Sequence, residues 1–93
     1  MNDSVLHLVQ QSPTASSALR DCLASCQAAD PIVLMHDAVY AALKKPAENE
    51  MYALRPDLEE RGLLERVDPA IKLIDYPELV ALCDRHRHNL SWF

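Results

Sequence analysis

Four short apolar runs punctuate the chain: Val5–Val9, Ile32–Met35, Met51–Leu54 and Ile71–Ile74. Three are rich in Val, Ile or Tyr, and most lack polar alternation, the pattern of strands buried on both faces. The stretches between them carry helix signals. Ser12-Pro13 opens the first, with proline tolerated at an early helical position. Apolar residues then recur at Ala15, Ala18, Leu19, Cys22, Leu23 and Cys26, a stripe at helical spacing. Ala28-Ala29-Asp30-Pro31 ends it. Asp37 is expected to cap a short helix running to Leu43, because its carboxylate can accept free backbone N–H groups. Lys44–Asn49 reads as a polar loop. Pro56–Gly62 reads as a two-turn helix with acids early and glycine at its stop. Asp75-Tyr76-Pro77 opens a last helix whose apolar stripe is Leu79, Val80 and Cys83. The order is β-α-β-α-β-α-β-α, which implies a parallel sheet covered by helices. The pattern is weakest between Lys44 and Leu64.

Composition narrows the function. A chain of 93 residues is one domain, spanning 1–93. At this size roughly 60–65% of the unfolded surface is buried, so the core is thin. Apolar residues make up 49% of the chain, too many for extensive disorder. A net charge of -5 argues against direct nucleic-acid binding, which needs a basic footprint. The single glycine, Gly62, excludes glycine-rich phosphate and dinucleotide loops. No apolar run reaches membrane-spanning length. Met1-Asn2-Asp3-Ser4 lacks the basic start of a secretory signal, and three cysteines close no disulfide framework. A soluble cytoplasmic domain with a partner is expected.

Five segments, taken in order, resemble the DsrH/TusB family. They are Leu6-His7-Leu8 followed by Ser12-Pro13; Asp37-Ala38-Val39-Tyr40-Ala41-Ala42; Tyr52-Ala53-Leu54 with Asp57-Leu58 and Arg61-Gly62; Asp75-Tyr76 with Leu79-Val80; and Ser91-Trp92. Leu8 stands where the family usually has threonine, Gln10 where asparagine is common, and Leu79 in place of an aromatic. The resemblance implies a small flavodoxin-like, three-layer α/β domain with a mostly parallel four-stranded sheet. It also implies a subunit of a TusBCD-type sulfur-relay complex, a dimer of heterotrimers with sister subunits of TusC and TusD (DsrF and DsrE) type. In that relay, persulfide sulfur travels on a cysteine of a sister subunit towards 2-thiolation of the tRNA wobble uridine. The B-type subunit is then mainly structural. The alternative is a DsrEFH-type sulfur-oxidation complex in which this subunit itself carries persulfide.

Cys22 is the candidate acceptor under that alternative, since it matches a cysteine of the DsrH branch. Persulfide transfer needs an accessible thiolate. Arg20 could favour one, and Asp21 opposes it. The position of Cys22 and Cys26 within the apolar stripe favours a core reading instead. Cys22 and Cys26 with Cys83, His86 and His88 match no zinc spacing closely, so no metal and no cofactor is expected. His86 and His88 read as part of a polar tail. His7 reads as a core histidine with one nitrogen bonded to backbone. Asp37 and Asp75 follow apparent strands, at the sheet edge where ligands bind in such folds, but helix capping is preferred for both. Trp92 and Phe93 are interface candidates, with packing onto the domain's own surface held equal.

Overall fold

The computed structural model describes residues 2–93, with side chains from Ser4 onward. Among these residues a sheet of β1 (Asn2–Val9), β2 (Ile32–Leu34), β3 (Met51–Leu54), β4 (Lys72–Ile74) and β5 (His86–Trp92) runs in the order β4-β3-β2-β1-β5. Every neighbouring pair is parallel. The helices are α1 (Ala18–Ser25), α2 (Arg55–Glu60) and α3 (Tyr76–Arg85), with a 3₁₀ segment at His36–Leu43 and a short 3₁₀ turn at Leu64–Arg66.

The α/β class with a parallel sheet is as the apolar runs imply. The sheet has five strands rather than four. His86 and His88, expected in a polar tail, belong instead to an edge strand, His86–Trp92, with β1 as its neighbour in the sheet. A strand bonded on one side and open to solvent on the other needs no continuous apolar run. Its signal was the alternation of Leu90 and Trp92 with Asn89 and Ser91.

The central strands alternate their side chains between two cores. Val9, Ile32, Leu34, Met51 and Ala53 pack with Ala18, Leu19 and Cys22 of α1, with Ala38, Val39 and Ala42 of the 3₁₀ segment, and with Leu58 of α2. Leu6, Val33, Tyr52, Leu54 and Ile74 pack on the other face with Leu82 of α3. Ile32, Val33 and Leu34 are all fully buried because successive residues point to opposite, covered faces. This is the expected three-layer arrangement, with α3 alone on the second face.

Local chemistry sets the helix boundaries. α1 starts at Ala18 rather than near Ser12. The Ser12 side chain accepts from the Thr14 amide and its carbonyl accepts from the Ser16 amide, so residues 12–16 form a turn. Asp37 is not a cap: it accepts from Arg61 at 2.9 and 3.0 Å. The residue that holds the start of the 3₁₀ segment is Asp57 of α2, which accepts from the His36 amide at 2.6 Å. His36 has a φ of 50°, and that bond fixes it in a conformation few non-glycine residues adopt. Asp75 does cap α3, through a capping box with Glu78. The buried position of α3 is Leu82, while Val80, expected in its apolar stripe, is 59% exposed.

Gly62 closes α2 with a φ of +67°. Its N–H bonds the Glu59 carbonyl at 3.1 Å, and the Leu63 N–H reaches back to Leu58 at 2.9 Å. These two bonds, with buried Leu63 packed in the same core as Leu58, make a Schellman stop. A Cβ at this position would meet no atom within 4 Å, so the cost of a side chain is conformational alone. Gly62→Ala is expected to lower stability by about 1 kcal/mol without altering the fold. Urea denaturation followed by circular dichroism measures this, and a neutral or stabilising result would contradict the assigned strain.

Candidate functional site

The first strand places His7 beneath α1, where the residue is 3% exposed. Its Nε2 lies 2.9 Å from Asp30 Oδ2, and its Nδ1 accepts from the Trp92 indole N–H at 3.0 Å. The indole can only donate, so Nδ1 is unprotonated and Nε2 carries the proton that goes to Asp30. The backbone bond expected for this ring is absent, and two side chains take its place. The two rings lie 6.1 Å apart at a tilt of 33°.

Asp30 is also buried, and it accepts from the Val5 amide at 3.0 Å and the Gln27 amide at 2.9 Å. Burial alone would raise its carboxyl, but the hydrogen bonds from His7, Gln27 and Val5, with the attraction of His7, hold it below the usual carboxylate range. Asn49 completes the cluster. Its amide donates to the carbonyls of Gln27 and Asp30, both at 2.9 Å, and lies 3.6 Å from Cys26 Sγ. Asp30 and Asn49 sit in segments that read only as a helix stop and a loop. No local pattern marks them, because apart from the Gln27 amide, three residues before Asp30, their partners are 19 to 25 residues away along the chain.

Cys22 has no solvent exposure in this chain. Burial, Cys26 and Asp30 together push its thiol up to about 12. Every one of those influences favours the protonated form, and Arg20 sits on the exposed side of α1. His7 cannot act as its base, since both ring nitrogens are engaged. Cys83 is half-buried on α3, with its thiol raised by burial and by Asp84. His86 donates from Nδ1 to the Leu82 carbonyl at 2.8 Å, while His88 is exposed on β5. Among the described residues no three His, Cys, Asp or Glu side chains are grouped to hold a metal ion. Trp92 is packed against the α1-side core, and Phe93 is 75% exposed.

A family model described as DsrH like protein matches residues 11–89. The chain belongs to the DsrH/TusB family. Protein TusB of Pectobacterium parmentieri is 35% identical over 96 residues, covering 95% of this chain and all of that protein. Protein TusB of Escherichia coli (strain K12 / DH10B) is 33% identical over 98 residues, with the same coverage. Protein Tm0979 from Thermotoga maritima, solved by NMR, superposes with a TM-score of 0.68 at 28% identity, over 87% of this chain and 92% of that one. The crystal structure of the ychN protein from E. coli has a TM-score of 0.73 at 17% identity, over 97% and 99% of the two chains, and so shares the fold. Among the described residues no helix is long and apolar enough to cross a membrane.

The segments that carry the family resemblance have visible structural work. His7 and Trp92 bond each other, Arg61 pairs with Asp37, and Asp57 holds His36. Gly62 stops α2 and Asp75 starts α3.

The Asp30–His7–Trp92 chain has a pH consequence. The folded Asp30 carboxyl lies below its unfolded value, so its contribution is complete above about pH 4 and is lost as pH falls through the folded value. Asp30→Asn is expected to cost on the order of 1–3 kcal/mol at neutral pH, since the change disturbs three hydrogen bonds at a buried site. It is also expected to flatten part of the acid limb of the stability profile. Trp92→Phe, which deletes only the N–H donor and part of the ring, is expected to cost about 1 kcal/mol. Urea titrations from pH 3 to 7 check both. An Asp30→Asn profile parallel to the wild type throughout would refute the assigned role of the carboxylate.

Proposed function

We propose that this protein is the TusB-type subunit of a cytoplasmic sulfur-relay complex serving 2-thiolation of the tRNA wobble uridine, and that its contribution is mainly structural. The full-length match to proteins named TusB supports the pathway. The observation that carries the structural role is the state of Cys22: fully buried, with a thiol raised to about 12. A persulfide acceptor attacks as thiolate, from a partly exposed and electropositive setting. Cys22 has neither exposure nor a cation among its influences. Sulfur then travels on a cysteine of a sister subunit of TusC or TusD type, within a dimer of heterotrimers. This chain binds neither nucleic acid nor membrane itself.

The role of Cys22 separates this reading from that of a persulfide-carrying DsrEFH subunit. Cys22→Ala removes one sulfur's worth of core contact and is expected to cost about 1–2 kcal/mol. It leaves 2-thiouridine content near normal, whereas deletion of the chain abolishes it. Nucleoside analysis of tRNA from the two strains makes the comparison. A deletion strain with normal thiolation rejects the pathway. A Cys22→Ala protein that assembles yet is as defective as the deletion rejects the structural role.

A further inference from the structure

The two edges of the sheet differ in kind. β4 is three residues long and presents Lys72, which pairs with Glu50 at 3.6 Å, so that edge is short and charged. β5 is seven residues long, and Arg87 through Ser91 are all exposed. The Gln10 N–H bonds the Trp92 carbonyl at 3.3 Å. That bond turns the peptide groups of Trp92 towards β1, and the two-residue period turns those of Leu90 and His88 the same way. The N–H and C=O groups of Arg87, Asn89 and Ser91 therefore point outward, and among the described residues nothing pairs with them.

The side chains along this edge give it a charge and a pattern. Arg85, Arg87 and two histidines fall between Arg85 and Phe93 with no acid among them, in a chain of net charge -5. Leu90 is 46% and Phe93 75% exposed. Leu90 and His88 share the α1 side with Trp92, and Arg87 lies on the opposite face.

We propose that the outer edge of β5 is a strand-addition site for an extended, acid-bearing segment of a partner polypeptide. The added strand pairs with the outward groups of Arg87, Asn89 and Ser91. It sets a carboxylate across from Arg87 and an apolar side chain across from Leu90, within the reach of cross-strand neighbours. A second copy of this chain fits less well. β5 contains no acidic side chain, so no register between two β5 edges sets an Asp or Glu across from Arg87. The inference rests on the reading of this chain as a subunit, because it names the surface by which the subunit is held.

The test uses the chain alone and in the complex formed by co-expression with its two sister subunits. Amide hydrogen exchange at Arg87, Asn89 and Ser91 is expected to be fast in the free chain and slowed at least ~100-fold in the complex. Asn89→Pro removes an outward N–H, a change tolerated on an edge strand, and is expected to leave the melt and Trp92 fluorescence native while blocking assembly. Arg87→Glu is expected to weaken assembly by about tenfold or more, and Lys72→Glu on the β4 edge to leave it unchanged. If the complex forms while those amides stay fast, or if Asn89→Pro and Arg87→Glu assemble like the wild type, the edge is not the docking site and the subunit reading stands. If the chain alone doubles in mass with the same amides protected, the occupant is a second copy and the acidic-segment proposal is wrong. If no complex forms with the sister subunits, the subunit reading fails, and this inference with it.

Discussion

The buried chain of hydrogen bonds from Asp30 through His7 to Trp92 is the constraint on which the rest of the molecule depends. It links the turn before β2, the first strand and the last. Removing a carboxylate and an imidazole from water is unfavourable unless each donor and acceptor is met. Here the carboxylate takes one side-chain and two backbone donors, and each imidazole nitrogen has one partner. A fully satisfied network of this kind specifies one arrangement, because any slip of β5 along β1 leaves a buried polar group without its partner. The indole donor also fixes the imidazole tautomer. A histidine that could have been taken for a base is thereby committed to holding the fold.

That commitment bears directly on Cys22. The thiol sits in the same region, close enough for Asp30 to disfavour its ionisation. The negative carboxylate that stabilises the Nε2 proton of His7 also makes the neighbourhood hostile to a thiolate. One set of groups is asked for structure, and the electrostatics that suit structure oppose sulfur nucleophilicity. The geometry of Cys22 therefore accords with the structural role proposed for this chain.

The layering is uneven in a way that follows from connectivity. Consecutive strands β1 to β4 step across the sheet in one direction, and the elements that join them pack in one core with α1, the 3₁₀ segment and α2. The connection from β4 must cross back to reach the far side of β1, and its helix, α3, covers the other face. The chain ends in an edge strand held by one neighbour and by the Trp92 hydrogen bond. A thin domain of this size thus carries its last strand through long-range contacts, the kind that form only once the rest of the sheet is in place.

The apolar runs at Val5–Val9, Ile32–Met35, Met51–Leu54 and Ile71–Ile74 were enough to determine four of the strands: β2 and β3 are buried throughout, and the apolar residues of β1 and β4 outweigh His7 and the exposed Lys72. The α1 stripe, the glycine stop at Gly62 and the Asp75 cap were equally legible, since each acts within a turn or two of itself. Long-range pairing decided the rest. Asp37 met Arg61 instead of its own helix, and Asp57 supplied the bond expected of it, because side chains on two elements were brought within reach only by the packing of α2 against the 3₁₀ segment. His86–Trp92 became a strand because β1 offered an open edge, and the alternation of Leu90 and Trp92 with Asn89 and Ser91 is its one local trace. Asp30 and Asn49 gained their meaning from partners on other segments. The sequence by itself determined which surfaces had to be buried, through periodicity in single elements. Only the tertiary structure decided which polar groups meet, because a hydrogen bond between distant residues leaves no period in the chain that carries it.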